Sequence, residues 1–260
     1  MRLDTTTSPF SEITFLPLDI IIDKHCPLVE AEIMQSYETL GFWSSYQCCW
    51  MLPLWTSGSG LKESELTEKS QPFSWTTAME SLPRTREMIE SCIFPQVQGR
   101  YRIIALITPP NKSIKLHADC NFEDIDLLNH KLRFSISGNI SSLWFLNERF
   151  EKVHVSSISK VYVLDGSHPH GVDASPNGFK ITLCIGSPWF GDLTGDFLDL
   201  MHKSEKKYAS HVLWRSQMGR PILRDIFIDK LREAQQSQRP DPREKYINII
   251  EKKDVCPITN

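Results

Sequence analysis

The sequence has no apolar run long enough to cross a membrane as a helix. Its longest apolar stretch near the N-terminus, ITFLPLDIII (Ile13 to Ile22), is broken by Pro17 and Asp19 and falls short of the roughly 20 residues that a bilayer requires. The stretch also lacks a basic flank and a small-residue cleavage site, so no secretory leader is expected. Excess charge of one sign is missing too. The formal net charge of −3 leaves no global basic surface for nucleic acid or an anionic membrane. The 7 cysteines (Cys26, Cys48, Cys49, Cys92, Cys120, Cys184 and Cys256) show no CxxC spacing and are odd in number. Neither a disulfide framework nor a cysteine zinc site is therefore expected, and buried reduced thiols are. These absences predict a soluble, cytoplasmic protein with neither nucleic acid nor membrane as partner.

What remains is an ordinary globular composition, 40% apolar and 23% charged over 260 residues, enough for one large domain or a domain with an appendage. Three regions differ in pattern. Up to about residue 98, strand candidates such as SSYQCCWMLPLW (Ser44 to Trp55) precede a polar loop, Thr56 to Gln71. A broken helical pattern then runs from Ser74, a candidate N-cap or turn residue, through Pro83. From Gly99 to Phe190 short strands follow one another: RYRIIALI, HKLRFSISG, SLWFL, KVHVSS, KVYVL and GFKITLCIG, separated by turn residues such as Asn139, Gly166 and Ser175 to Gly178. This spacing predicts a sandwich or barrel. From Asp192 the period changes to that of amphipathic helices, one over DFLDLMHKSEKKYASHVLWRSQM and one from Pro221 with Ile226, Phe227 and Leu231 as its apolar face.

Within the strand region, IKLHADC (Ile114 to Cys120) sets His117 and Asp119 two residues apart. On an extended backbone such a pair shares one face, about 6 to 7 Å apart. Two imidazoles and a carboxylate on one side of a metal suit a non-haem iron(II) centre with open positions. A third ligand is offered by VLDGSHPHGVDAS, which contains both His168 and His170; parity does not separate them. Ten residues after His170 comes Lys180, set among Phe179, Ile181, Leu183 and Ile185. A buried lysine calls for an anion, and the remote carboxylate of 2-oxoglutarate is one.

At these residues the sequence resembles the Fe(II)/2-oxoglutarate-dependent oxygenases, in particular the aspartyl/asparaginyl β-hydroxylase-like group, which includes the L-proline cis-4-hydroxylases. The resemblance covers roughly residues 46 to 190. It runs through YQCCWMLPLW, FPQVQGRYRIIALITPPNKSIKLHADC, NHKLRFSISG and VYVLDGSHPHGVDASPNGFKITLCIGSPWF. It implies a mainly β protein with flanking helices, built on a double-stranded β-helix (a cupin-like jelly roll) over 1–190, with a helical extension over 191–260 that could cap the site or form a homodimer contact.

By the same resemblance, His117, Asp119 and His170 are the metal ligands and the catalytic centre, with His170 preferred because HGVDAS matches the segment after the distal ligand. Lys180 and Arg133 contact the cosubstrate; Ser135 stands where close relatives carry a histidine, and Lys180 where an arginine is usual. Fe(II), 2-oxoglutarate and dioxygen are the implied cofactor and cosubstrates. The implied activity is that of a dioxygenase, an oxidoreductase hydroxylating a C–H bond of a free amino acid or similar small molecule, with release of succinate and carbon dioxide. The alternatives are a hydroxylase of aspartyl or asparaginyl residues in a peptide or protein, and a silent ligand-binding module that retains the motif. Candidate substrate contacts are Trp55, Arg102, Trp144 and the acidic loop Asn121 to Asn129, where Glu123, Asp124 and Asp126 could receive an amine.

Overall fold

The computed structural model describes residues 12–45, 47–58, 60, 71–97, 101–119, 130–186 and 195–218. Eight consecutive strands form the core: β5 (Arg102–Thr108), β6 (Ile114–His117), β7 (His130–Ser137), β8 (Leu143–Leu146), β9 (Lys152–His154), β10 (Val161–Asp165), β11 (His170–Val172) and β12 (Lys180–Gly186). They are divided between two sheets, alternating except that β8 and β9 lie side by side in the smaller one. One runs β10, β7, β12, β5, and the other, four-stranded, runs β6, β11, β8, β9, with antiparallel pairing throughout. Facing antiparallel sheets wound in this way are a jelly roll, the double-stranded β-helix expected from the sequence.

The first sheet extends at both ends to nine strands. Beyond β10 lie β1 (Ile13–Pro17) and β13 (Leu213–Trp214), and beyond β5 lie β3 (Cys49–Thr56) and β2 (Phe42–Ser44), with β4 (Ser74–Trp75) beside β3. Its central strands are buried on both faces, and their alternate residues go different ways. Leu132, Phe134 and Ile136 of β7, and Ile181, Leu183 and Ile185 of β12, join a core beneath the helices. Lys131, Arg133 and Ser135 of β7, and Lys180, Thr182 and Cys184 of β12, occupy the alternate positions, on the face turned to the smaller sheet, and are buried too. Between the sheets, Phe15, Leu143, Phe145, Tyr162, Leu164 and Val172 form a second cluster.

The helices cover the outer face of the large sheet. The first, α1 (Cys26–Leu40), has no counterpart in the sequence reading above. Its buried stripe is one residue per turn, Cys26, Val29, Ile33 and Tyr37, too narrow to stand out from the polar residues between. The predicted start at Ser74 also moves: Ser74 and Trp75 pair with β3, a 3₁₀ turn occupies Thr77–Ser81, and α2 (Pro83–Met88) follows. Thr76 turns its hydroxyl to the Pro53 carbonyl, 2.8 Å away, which ties that helical segment to β3.

The single helix expected over residues 196–218 ends early. α3 (Gly195–Lys207) is followed by a 3₁₀ turn, by β13 paired with β1, and by the short α4 (Arg215–Met218). Phe197 and Met201 of α3 sit in the same core as α1, so the described part of the expected extension shares the hydrophobic core of the sheet domain. The helix expected from Pro221 and most of the polar loop 56–71 lie outside the described residues.

Gly171 lies in β11 where neighbouring strands approach closely. A Cβ there would meet Trp144 Cζ2 at 2.5 Å and the Ile114 carbonyl oxygen at 3.0 Å. Gly171→Ala is expected to cost about 1–3 kcal/mol, read as a lowered urea midpoint at unchanged m-value.

Candidate metal centre

The two sheets meet around a cavity, and the smaller sheet supplies its donors. β6 ends at His117, β11 begins at His170, and these two residues are direct cross-strand partners. Partners in an antiparallel pair present their side chains on one face; the imidazole rings lie 4.3 Å apart between centroids. Just past β6, the Asp119 amide donates to the Gly166 carbonyl at 2.6 Å, holding the residue after the strand end against the turn that leads into β11. The ligand atoms of His117, Asp119 and His170 all lie within 4.8 Å of one another. Asp119 Oδ1 is 3.6 Å from His117 Nε2, and Oδ2 is 4.0 Å from His170 Nε2.

Each imidazole is oriented by its own backbone. His117 Nδ1 lies 2.8 Å from the Lys115 carbonyl and His170 Nδ1 lies 2.8 Å from the His168 carbonyl. A carbonyl only accepts, so both rings donate from Nδ1 and turn the lone pair of Nε2 to the centre, as a metal-ligating histidine does. Burial, followed by repulsion from His117, pushes His170 down to about 3, so its ring is neutral at physiological pH.

The larger sheet supplies cations. Lys131 Nζ is 2.6 Å from Asp119 Oδ2, and Arg133 Nη2 is 3.7 Å from the same oxygen. Burial opposes the charge on Asp119, but the attraction of Lys131, then of His117, His170 and Arg133, outweighs it and holds the carboxyl well below the usual carboxylate range. Lys180 lines the same cavity and donates to Ser142 Oγ at 2.8 Å. Burial pushes its pKa down to about 8. Leu106, Ile114, Leu143, Leu164 and Val172 make much of the remaining wall apolar.

The structure thus gathers His117, Asp119, His170, Arg133 and Lys180 around one space. His168 is turned elsewhere. It lies in the turn before β11, so strand parity does not govern it; its Nε2 lies 2.8 Å from the Leu146 carbonyl and its ring stands edge-on to Phe145. Ser135 is buried on the same strand face as Arg133 but is not among the residues that line the cavity. Arg102 begins β5 on the face that carries Leu106 and Thr108, near enough to act electrostatically on Lys131 and Cys184.

Two substrate candidates point away. Trp55 packs against Trp75 and Phe94, at 5.0 and 5.3 Å between centroids, on the helix-covered side. Trp144, its neighbours Leu143 and Phe145 facing inward, donates from Nε1 to Asp173 at 2.9 Å, where Lys152 and His154 also bind. Neither lines the cavity. Glu123, Asp124 and the rest of their loop lie outside the described residues.

Sequence reasoning missed Lys131, although the alternation of HKLRFSIS already sets it beside Arg133. It also missed Gln47, which lines the cavity from a turn where Cys48 adopts φ +52°; no local pattern marks it.

No family model matches the sequence, and no curated protein matches it. Among solved structures, similarity is found to a Pseudomonas putida prolyl-4-hydroxylase at 12% identity, covering 68% of this chain and 93% of that one with a TM-score of 0.42. HygX from Streptomyces hygroscopicus, solved with nickel and 2-oxoglutarate bound, gives 11% identity, 68% and 83% coverage and a TM-score of 0.43. Procruciferin, an 11S globulin from Brassica napus, matches at 9% identity over 62% of this chain and 30% of that one, with a TM-score of 0.32. Similarities this distant assign no activity to the chain.

Lys180 carries a testable energetic consequence. The unfolded chain holds the proton up to about the ordinary lysine value of 10.5, whereas the fold releases it near 8. Between those values the unfolded state binds more protons, so this group makes stability rise with pH across that window, and its penalty is fully present below pH 8. Lys180→Met should therefore raise the denaturation midpoint at pH 7 and flatten the stability profile between pH 8 and 10.5, measured by urea titration at each pH.

Proposed function

We propose that this chain is an Fe(II)- and 2-oxoglutarate-dependent dioxygenase that hydroxylates a C–H bond of a free amino acid or amino-acid-like small molecule. The observation that carries this reading is the convergence of two backbone-oriented imidazoles and one carboxylate on a partly apolar cavity that also holds a buried lysine.

The donor set fits iron(II). Nitrogen and oxygen ligands on one side leave other positions open, and the one thiol among the described residues that line the cavity, Cys184, is pushed upward by burial and stays protonated. His117, Asp119 and His170 would hold the metal, which supplies dioxygen activation coupled to 2-oxoglutarate decarboxylation. Lys180 offers a cation for the remote carboxylate of the cosubstrate, as a point charge without the two-point fork of an arginine. Arg133 adds a second cation beside Asp119. The apolar wall excludes water and strengthens each of these attractions. For an amino-acid substrate, the described residue we assign to its carboxylate is Arg102, which begins β5 beside the cavity without lining it.

The experiment is succinate release from 2-oxoglutarate in the presence of Fe(II). His117→Ala and His170→Ala should each lose at least about 100-fold, the loss expected when a metal ligand is removed. His168→Ala should keep its metal affinity while losing stability. Full activity of the His170 variant would overturn the ligand assignment. Mass spectrometry of free amino acids and short peptides, reading the gain of one oxygen, identifies the substrate. Gain on peptides alone would favour the protein-modifying alternative, and no turnover with intact metal binding would favour a silent binding module.

A further inference from the structure

We infer that Lys131 is a positioning residue of the metal centre, holding Asp119 so that its carboxylate ligates through one oxygen only. The inference rests on the metal-centre reading above and assigns a role to a side chain which that reading leaves unused.

A carboxylate beside a metal can bind through one oxygen or through both, and the second mode takes a further coordination position. In a centre whose chemistry needs positions for a chelating cosubstrate and for dioxygen, that position matters. Here the ammonium of Lys131 lies 2.6 Å from Oδ2, while Oδ1 lies on the His117 side, 3.6 Å from Nε2. Both partners are largely shielded from solvent, with side chains 8% and 16% exposed, so the pair is screened far less than a surface ion pair.

The surrounding chain is shaped to keep the pair in register. Lys131 projects from the middle of the large sheet, where its strand neighbour Arg133 pairs with both Cys184 and Tyr162, so its backbone has little freedom. Two glycines make room for the contact. A Cβ on Gly166 would lie 3.0 Å from Asp119 Cβ, 3.0 Å from Oδ2 and 3.2 Å from Lys131 Cε, and one on Gly186 would lie 3.1 Å from Lys131 Cγ. Gly166 also accepts the Asp119 amide. The slot therefore fixes the carboxylate from three sides: backbone at its own amide, glycine against its Cβ, and ammonium at Oδ2. Arg133, at 3.7 Å from Oδ2, does not replace the closer contact.

The test uses full-length protein loaded with Co(II), whose visible absorption reports coordination number without any turnover. With 2-oxoglutarate added, Lys131→Met should give a weaker visible band than wild type, as the released carboxylate takes up a second position, and Lys131→Arg should restore it. Succinate release in the Met variant should fall about 10-fold or more. An unchanged Co(II) spectrum in Lys131→Met overturns the inference and leaves the metal-centre reading standing. Failure of wild type to bind Co(II) overturns both. Should the Met variant not fold, the metal-minus-apo infrared difference spectrum of wild type decides: a widely split carboxylate pair of bands supports single-oxygen ligation, and a narrowly split pair overturns it.

Discussion

The arrangement of this protein hangs on one cross-strand pair. His117 and His170 face each other across β6 and β11, and each ring is clasped by the carbonyl two residues before it. Each clasp removes a rotational freedom and fixes a tautomer from within the local chain segment. The register between strands then does the rest. A slip of one residue would turn one imidazole to the outer face of the small sheet, so the close packing of Gly171 between Trp144 and the Ile114 carbonyl works as the stop that keeps the donors together.

The two sheets divide the labour by chemistry. The small sheet carries the imidazole donors, and the large sheet opposes them with Lys131, Arg133 and Lys180, all buried. Buried cations of this number destabilise a fold unless anions meet them, and Asp119 is the one carboxylate among the described residues that line the cavity. The imbalance is tolerable because the opposite face of the same strands is filled by Leu132, Phe134, Ile181 and Leu183, whose burial stabilises the sheet irrespective of what the inner face carries. A site that strains its surroundings and an adjoining apolar layer that compensates is a common division in functional folds.

Much of this was legible in the sequence where periodicity and chemistry coincide. The strand series from RYRIIALI to GFKITLCIG gave the sheets to within a few residues, and the His117, Asp119 and Lys180 signals rested on side chains that strands present at fixed intervals. Legibility failed where a strand is buried on both faces. Trp55 and Trp144 looked like cavity residues because nothing in an apolar run says which face is the inside. Lys131 was visible by alternation with Arg133, but its meaning depends on Asp119, which arrives from the other sheet. The choice between His168 and His170 was not a matter of parity, since His168 belongs to a turn. The helix α1 escaped notice because a stripe of one buried residue per turn is little different from chance.

The lysine at the start of β12 has a consequence beyond stability. A side chain that burial pushes down to about 8 is drawn back toward full protonation when a further carboxylate arrives. Around that pH, filling the cavity and taking a proton from solution become a single event. The heat of binding then depends on the buffer that gives up the proton, and the occupancy of the cavity follows alkalinity as well as concentration. A substitution that keeps the charge permanent, as an arginine would, uncouples the two.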